Sequence, residues 1–326
     1  MSLPRNLVIL GSGAMGSLLA AMTHAVPGWR VRMVAHWNSQ RETVARDGLL
    51  LEHMDDRTSR HAIAVSDRID DLPPADAVIV VVKGHRSERA AEDASALLRA
   101  DGIALSLQNG IGALAVLADR LGPERVASGV TFQAARMVAP GRVAHTGAGV
   151  TYLPAGHPRA ERIAALRDLL TTAGWPCELD PDIDTRIWEK LVINSAVNPL
   201  TALGGIVNGA LPAHPVLWPL ARAVAEETAG VARAAGIRMD AQTAARLAAV
   251  CRATAPNRSS MLQDLDRGAL TEVAAINGAV AAAARAAGRS APLNTFLTAA
   301  IREREAGRTV PLERLAALLN RREVQT

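Results

Sequence analysis

The chain has 326 residues, of which 49% are hydrophobic and only 2% aromatic, and its formal net charge is +4; that length suggests two domains with ample material for a core. Its arginines are scattered singly among acids, which gives no basic stripe for a nucleic acid, and no apolar run approaches the ~20 residues of a membrane span. Cys177 and Cys251 lie far apart outside any C-x-x-C pattern, so both are read as buried thiols in a reducing compartment.

Residues 6–11 read as a buried strand ending in glycine, and they start too early to leave room for a leader segment, so a cytoplasmic protein is expected. A helix is predicted from Ala14 to Ala25, a strand from Trp29 to Ala35, and a helix over 41–47. Leu49 to Val65 reads as strands joined by a polar turn at Asp55-Asp56. Asp76 to Val82 is apolar on both faces and β-branched, as a central parallel strand should be. A helix from Ser87 to Leu98 and a strand from Ile103 to Leu107 follow. This alternation predicts an α/β, Rossmann-type doubly wound sheet. From Val126 to Leu153 the pattern becomes glycine-rich, with Pro140-Gly141 as a turn between two strands. A helix near Arg159–Thr172 and a short strand at Pro176–Leu179 complete this part. Beyond Asp182 only helical periods remain, broken at Pro199, Pro212, Pro215, Pro256, Pro292 and Pro311. The expected domains are therefore 1–181, binding a dinucleotide, and 182–326, all-α.

Gly11-Ser12-Gly13-Ala14-Met15-Gly16 is a G-x-G-x-x-G string that leaves a strand and opens a helix. In that setting the first glycine permits the turn, the second lets a pyrophosphate approach the backbone, and the third lets helix pack on strand. Free N–H groups at the helix start face the phosphates. An acid at the end of the second strand would select NAD by accepting from the ribose 2′-hydroxyl. Residues 35–41 contain none, while His36, Asn38, Ser39 and Arg41 can all donate to a 2′-phosphate. NADP(H) is the favoured cofactor, with NAD(H) as the alternative.

Two of the 36 basic residues are lysines, Lys83 and Lys190. Arginine keeps its proton near neutral pH, whereas a lysine ammonium loses one readily once dehydrated. Lys83 ends the strand Val78–Val82, and Gln108-Asn109-Gly110 ends the next one. A cation and an amide at adjacent strand tips suit a nicotinamide ribose or phosphates, the plainer reading being a solvated strand end and a turn. Lys190, Asn194 and Asn198 share one helical face, at i, i+4 and i+8, among apolar neighbours. Buried amides need partners, which a polar substrate would supply; a solvent-facing stripe is the competing reading. Asn257 to Asp264 is a polar run ahead of Thr271-Glu272 that reads on composition alone as a loop and a cap.

Together these motifs resemble the ketopantoate reductase family almost end to end. The resemblance rests on Gly11–Gly16, Val82-Lys83, Gln108–Gly112, Gly129–Arg136 with Pro140-Gly141, Lys190-Leu191-x-x-Asn194-x-x-x-Asn198-Pro199-Leu200-Thr201-Ala202, Asn208-Gly209, Ser259–Asp264 and Thr271-Glu272. It implies a Rossmann domain, an all-helical domain and an active site in the cleft between them, with NADPH-dependent reduction of 2-dehydropantoate to (R)-pantoate. Lys190 matches the family's proton donor, and Glu272 stands with it as a catalytic candidate. Asn194, Asn198, Asn208 and Ser260 match substrate positions, and Lys83, Asn109, Ala135 and Glu272 match positions near the cofactor. Where many members carry an arginine beside the 2′-phosphate this chain has His36, which leaves NADPH against NADH open. A relative acting on another 2-oxo acid, and a dinucleotide sensor without catalysis, are the competing readings. The expected partner is a small 2-oxo acid, with no nucleic acid and no membrane, and the protein is expected to be a monomer or homodimer.

Overall fold

The computed structural model describes residues 5–240, 242 and 246–323. The start of the first expected domain, residues 1–4, the end of the second, 324–326, and residues 241 and 243–245 lie outside the described residues. The chain divides into two compact units, Met1–Gln108 with Ala113–Ile183, and Asn109–Gly112 with Asp184–Thr326.

In the first unit six strands form one sheet: β1 (Arg5–Leu10), β2 (Trp29–Val34), β3 (Ala64–Ser66), β4 (Ala75–Val80), β5 (Leu98–Ser106) and β6 (Val126–Ser128). Their spatial order is β3-β2-β1-β4-β5-β6, and every neighbouring pair is parallel. This is the doubly wound arrangement, with its order reversing between β1 and β4, where such sheets bind dinucleotides. Alternation sets the two faces of the sheet: Leu7 and Ile9 of β1 join one core cluster with Leu18 and Ile79, while Val8 and Leu10 join another with Val78 and Val80. A second, mixed sheet orders Ala134–Ala139, Arg142–Gly147, Leu49–Glu52 and Thr58–His61. Its first two strands are antiparallel and join at Pro140-Gly141, where Gly141 has φ 73°.

Several boundaries differ from the sequence reading. The central strand stops at Val80, not Val82, because Gly11 crosses there: a Cβ on Gly11 would lie 3.1 Å from the Val81 carbonyl and the Val82 nitrogen. The strand expected to start at Ile103 starts at Leu98, which pairs with Ala75. A helix over Ala113–Leu121 had no counterpart in the sequence reading.

Helices are the regular elements of the second unit's described residues. Its long helix runs from Ile183 to Gly204 and passes through Pro199 without ending, contrary to the expected break. A proline at 199 offers no N–H to the carbonyl of Ser195. That carbonyl accepts instead from Asn277 Nδ2 at 2.8 Å, so the helix continues with no orphaned buried acceptor there. Pro292 opens the helix Pro292–Glu305, whose first N–H groups at Leu293 and Asn294 donate to the Glu227 carboxylate at 3.1 and 2.9 Å.

Both cysteines are free and buried. Burial pushes the Cys177 thiol up to about 12 and raises that of Cys251 as well, so neither acts as a nucleophile near neutral pH. Among the described residues no helix is long and apolar enough to cross a membrane, and no cluster of side chains suits a metal ion.

Candidate active site

The glycine string sits where the sheet order reverses. Gly11 has φ 121°, a conformation that a side chain would strain. A Cβ on Gly16 would fall 1.9 Å from the Gly11 carbonyl oxygen, so only glycine lets the helix Ala14–Thr23 start that close to β1. A Cβ on Gly13 would meet nothing within 4 Å. Gly13 is the N-cap of that helix, and no acid stands in its first turn. Open space, free N–H groups and no local negative charge suit a pyrophosphate. The loop is braced from beneath. Ser17 Oγ donates to the Ser12 carbonyl at 3.2 Å, buried Gln40 donates to Ser17 Oγ at 3.0 Å, and Gln40 Oε1 accepts from the Gly141 N–H at 2.6 Å. Ala14, Met15 and Ala135 pack against the same core cluster, which places Ala135 on the side of the glycine-loop helix.

Lys83 is half-buried just past β4, and its carbonyl accepts from the Arg86 N–H at 2.8 Å. Gln108 holds this tip. Its Nε2 donates to the Val82 carbonyl at 3.0 Å and to Ser87 Oγ at 2.9 Å. His36 is exposed beyond β2, with Nε2 3.5 Å from Asp93 Oδ2. Asp93 is buried and also takes Arg89 Nε at 2.9 Å. The sequence reading missed Asp93: residues 35–41 after β2 hold no acid, yet one reaches its tip from the helix Ser87–Leu97.

In the second unit Lys190 Nζ donates to Asn109 Oδ1 at 3.0 Å, and Asn109 Nδ2 donates to Glu272 Oε2 at 3.0 Å. A lysine only donates and a carboxylate only accepts, so this pair fixes which end of the Asn109 amide faces which partner. Lys190 is half-buried, and loss of water around its ammonium pushes its pKa down to about 8, against an opposing pull from the Glu272 charge. Glu272 is itself buried. It precedes one wide turn of helix, in which the Gly278 N–H reaches back to the Val273 carbonyl at 2.9 Å. Such i→i+5 turns recur at functional sites. The same turn grips the Asn109 segment: the Ile111 N–H donates to the Ala275 carbonyl at 3.2 Å. Gly110, at φ 82°, lies so close that a Cβ would fall 2.0 Å from that oxygen.

Asn194 and Asn198 follow Lys190 on the unbroken helix, half-buried and buried respectively, and neither carboxamide makes a hydrogen bond among the described residues. Ser260 begins the helix Ser260–Asp266. Its neighbour Ser259 caps that helix through Leu262 N at 3.2 Å, accepts from Thr201 Oγ1 at 2.8 Å and touches the Asn198 carbonyl at 3.4 Å. These contacts of Ser259 fix the start of Ser260's helix against the Asn198 backbone. Asn208 makes a different set of contacts. Its N–H and Nδ2 bind the Asn257 carbonyl and Thr254 Oγ1 at 2.9 and 3.0 Å, and its buried Oδ1 has no partner among the described residues.

A doubly wound sheet with an open glycine loop at its switch point, joined in one chain to a half-buried lysine among amides, defines a dinucleotide-binding oxidoreductase. The family model for ketopantoate reductase PanE/ApbA matches residues 7–158, and the model for its C-terminal part matches 182–305. The chain is 36% identical to the 2-dehydropantoate 2-reductase of Archaeoglobus fulgidus, over 92% of this chain and 97% of that protein. It is 31% identical to that of Vibrio cholerae, over 90% and 95%. A PanE/ApbA family ketopantoate reductase from Ralstonia eutropha superposes with a TM-score of 0.84 at 29% identity, covering 93% of this chain and 99% of that one. The D-mandelate dehydrogenase solved with NADH and anilino(oxo)acetate shares the fold, with a TM-score of 0.87 at 24% identity over 93% and 98%. The chain belongs to the ketopantoate reductase family.

Proposed function

We propose that this oxidoreductase reduces 2-dehydropantoate to (R)-pantoate with NADPH, and that Lys190 donates the proton. The observation that carries the reading is the ammonium of Lys190, dehydrated yet tethered through Asn109 to Glu272. A group whose pKa lies near 8 is charged at neutral pH and still able to release its proton. An arginine there would offer charge without transfer.

A nicotinamide dinucleotide, held by Gly11, Ser12, Gly13, Ala14, Met15 and Gly16 with His36, Lys83, Asn109 and Ala135, supplies the hydride when bound. As the 2-oxo carbon is reduced, negative charge grows on its oxygen. The Lys190 ammonium stabilises that charge and then passes a proton to it, ending neutral. Glu272, through Asn109, holds the amine in place and favours its charged form before transfer. Asn194, Asn198, Asn208 and Ser260 supply amide and hydroxyl groups for the substrate's carboxylate and hydroxyl. The unengaged amides of Asn194 and Asn198 support that role.

NADPH is favoured because no acid lies in residues 35–41 and the first turn of the helix Asn38–Asp47 is free of acids. With Nε2 of His36 turned to Asp93, Nδ1 is left for a phosphate, to which it donates when the ring is protonated. Steady-state kinetics on 2-dehydropantoate, with NADPH and NADH in parallel, test the reading. Fast turnover of this substrate with NADPH is expected. Slow turnover beside rapid reduction of an aromatic or branched 2-oxo acid would overturn the substrate, and better rates with NADH would overturn the cofactor.

A further inference from the structure

We propose that Asn277 is a positioning residue, which keeps the turn carrying Glu272 in register with the helix carrying Lys190, Asn194 and Asn198. The inference rests on the function proposed above.

It begins with Pro199. A residue in the middle of a helix normally gives its N–H to the carbonyl four places back, and proline has none to give. The carbonyl left over is that of Ser195, which lies between Asn194 and Asn198 on the lysine helix. Asn277, fully buried, donates Nδ2 to it at 2.8 Å. The second Nδ2 hydrogen goes to Asn294 Oδ1 at 2.9 Å. Asn294 Nδ2 in turn donates to Glu227 Oε1 at 2.9 Å and Thr228 Oγ1 at 3.1 Å, and Thr228 Oγ1 lies 2.9 Å from Ser195 Oγ. The network therefore returns to the residue whose carbonyl Asn277 holds. Asn277 Oδ1 is buried with no partner among the described residues. An unpaired buried acceptor is unfavourable, so the carboxamide is retained there for its two donors.

Asn277 comes five residues after Glu272, within the wide turn whose Ala275 carbonyl grips the Asn109 segment. The contacts form a closed circuit. Lys190 reaches Asn109, Asn109 reaches Glu272, the turn leads from Glu272 to Asn277, and Asn277 returns to Ser195 on the helix of Lys190. Pro199 leaves Asn277 as the donor to this oxygen; a carbonyl has two lone pairs, so an N–H at 199 would satisfy the helix beside Asn277 without anchoring the turn.

A plainly structural residue and a positioning residue differ in one respect that can be measured. In a Pro199→Ala background residue 199 has an N–H, so the Ser195 carbonyl no longer depends on Asn277. Asn277→Leu is made both in the natural chain and in that background. In each protein we would measure the melting temperature, the dissociation constant of the reduced cofactor, and kcat on the 2-oxo acid that the unaltered protein reduces fastest. In the natural chain Asn277→Leu is expected to lower the melting temperature and to lower kcat about tenfold or more, as small misplacements at reacting groups do, with cofactor affinity within about twofold. In the Pro199→Ala background the melting temperature is expected to recover while kcat stays at least roughly tenfold below Pro199→Ala alone. Recovery of kcat together with stability would overturn the proposal, as would an unchanged kcat in either background. If the single variant does not fold, the comparison of the double variant with Pro199→Ala decides the matter by itself. Lys190→Ala, run alongside, separates the two readings: full activity there removes the lysine mechanism whatever Asn277 does.

Discussion

Removing the charge of Glu272 while keeping its shape, as Glu272→Gln does, isolates the electrostatic part of the proposed site. The pKa of Lys190 near 8 reflects burial pushing it down and Glu272 pulling it back up. The Asn109 carboxamide bridges the two groups, with a 3.0 Å hydrogen bond on each side. Opposite charges within about 7 Å of each other at an effective dielectric near 20 interact by roughly 2 kcal/mol or more, which is on the order of 1.5 pKa units or more. Without that attraction desolvation acts alone, and the lysine loses its proton at lower pH. The assay is kcat/KM for the 2-oxo acid between about pH 5.5 and 9.5, which reports the ionisations of the enzyme before the substrate binds. A proton donor must be protonated, so activity is expected to fall as pH rises through the lysine pKa. In Glu272→Gln that decline is expected to begin about one unit or more lower, with a rate near the unaltered one at the acid end. A decline at the same pH in both proteins would refute the coupling of Glu272 to the titrating group. A shift to higher pH would refute the sign of the argument.

Other expectations follow from contacts of single atoms. Gly13→Ala meets open space, so its stability should change by no more than about 1 kcal/mol while cofactor affinity falls sharply in a fluorescence titration; unaltered affinity would mean that nothing binds over Gly13. Gly16→Ala places a methyl group 1.9 Å from the Gly11 oxygen and should lower both melting temperature and affinity. Gly110→Ala forces a side chain onto the Ala275 carbonyl at a positive φ, so a loss of ~2 kcal/mol or more in stability is expected together with a fall in kcat; full activity would show that the placement of Asn109 is unimportant. His36→Gln should weaken NADPH roughly tenfold, the scale of one charge-assisted hydrogen bond, and leave NADH nearly unchanged; an unaltered ratio of the two dissociation constants removes His36 from the cofactor site.

What could be read in the sequence was whatever rests on neighbours in the chain. The run Val78–Val82 declares a buried parallel strand because β-branched residues cover both faces, and the glycine string declares its turn because strand and helix flank it directly. The stripe of Lys190, Asn194 and Asn198 follows from helical period alone. Contacts between distant segments were hidden. Pro199 marks a carbonyl without a donor, but nothing near it in the sequence shows that Asn277 supplies one, and so a continuous helix looked like a broken one. Asp93 reaches His36 from another helix, and Gly110 is required by a carbonyl at Ala275. Asn208 is joined to the 254–257 turn by contacts that nothing near it in the sequence announces.

The central claim concerns the proton on Lys190, and single-turnover reduction of the 2-oxo acid by cofactor-loaded Lys190→Ala and Lys190→Arg tests it most directly. Both variants are expected to bind cofactor as the unaltered protein does and to lose on the order of a hundredfold or more in rate, with arginine restoring little although it keeps the charge. A Lys190→Arg rate close to that of the unaltered enzyme, or equal losses of rate and cofactor affinity in Lys190→Ala, would contradict it.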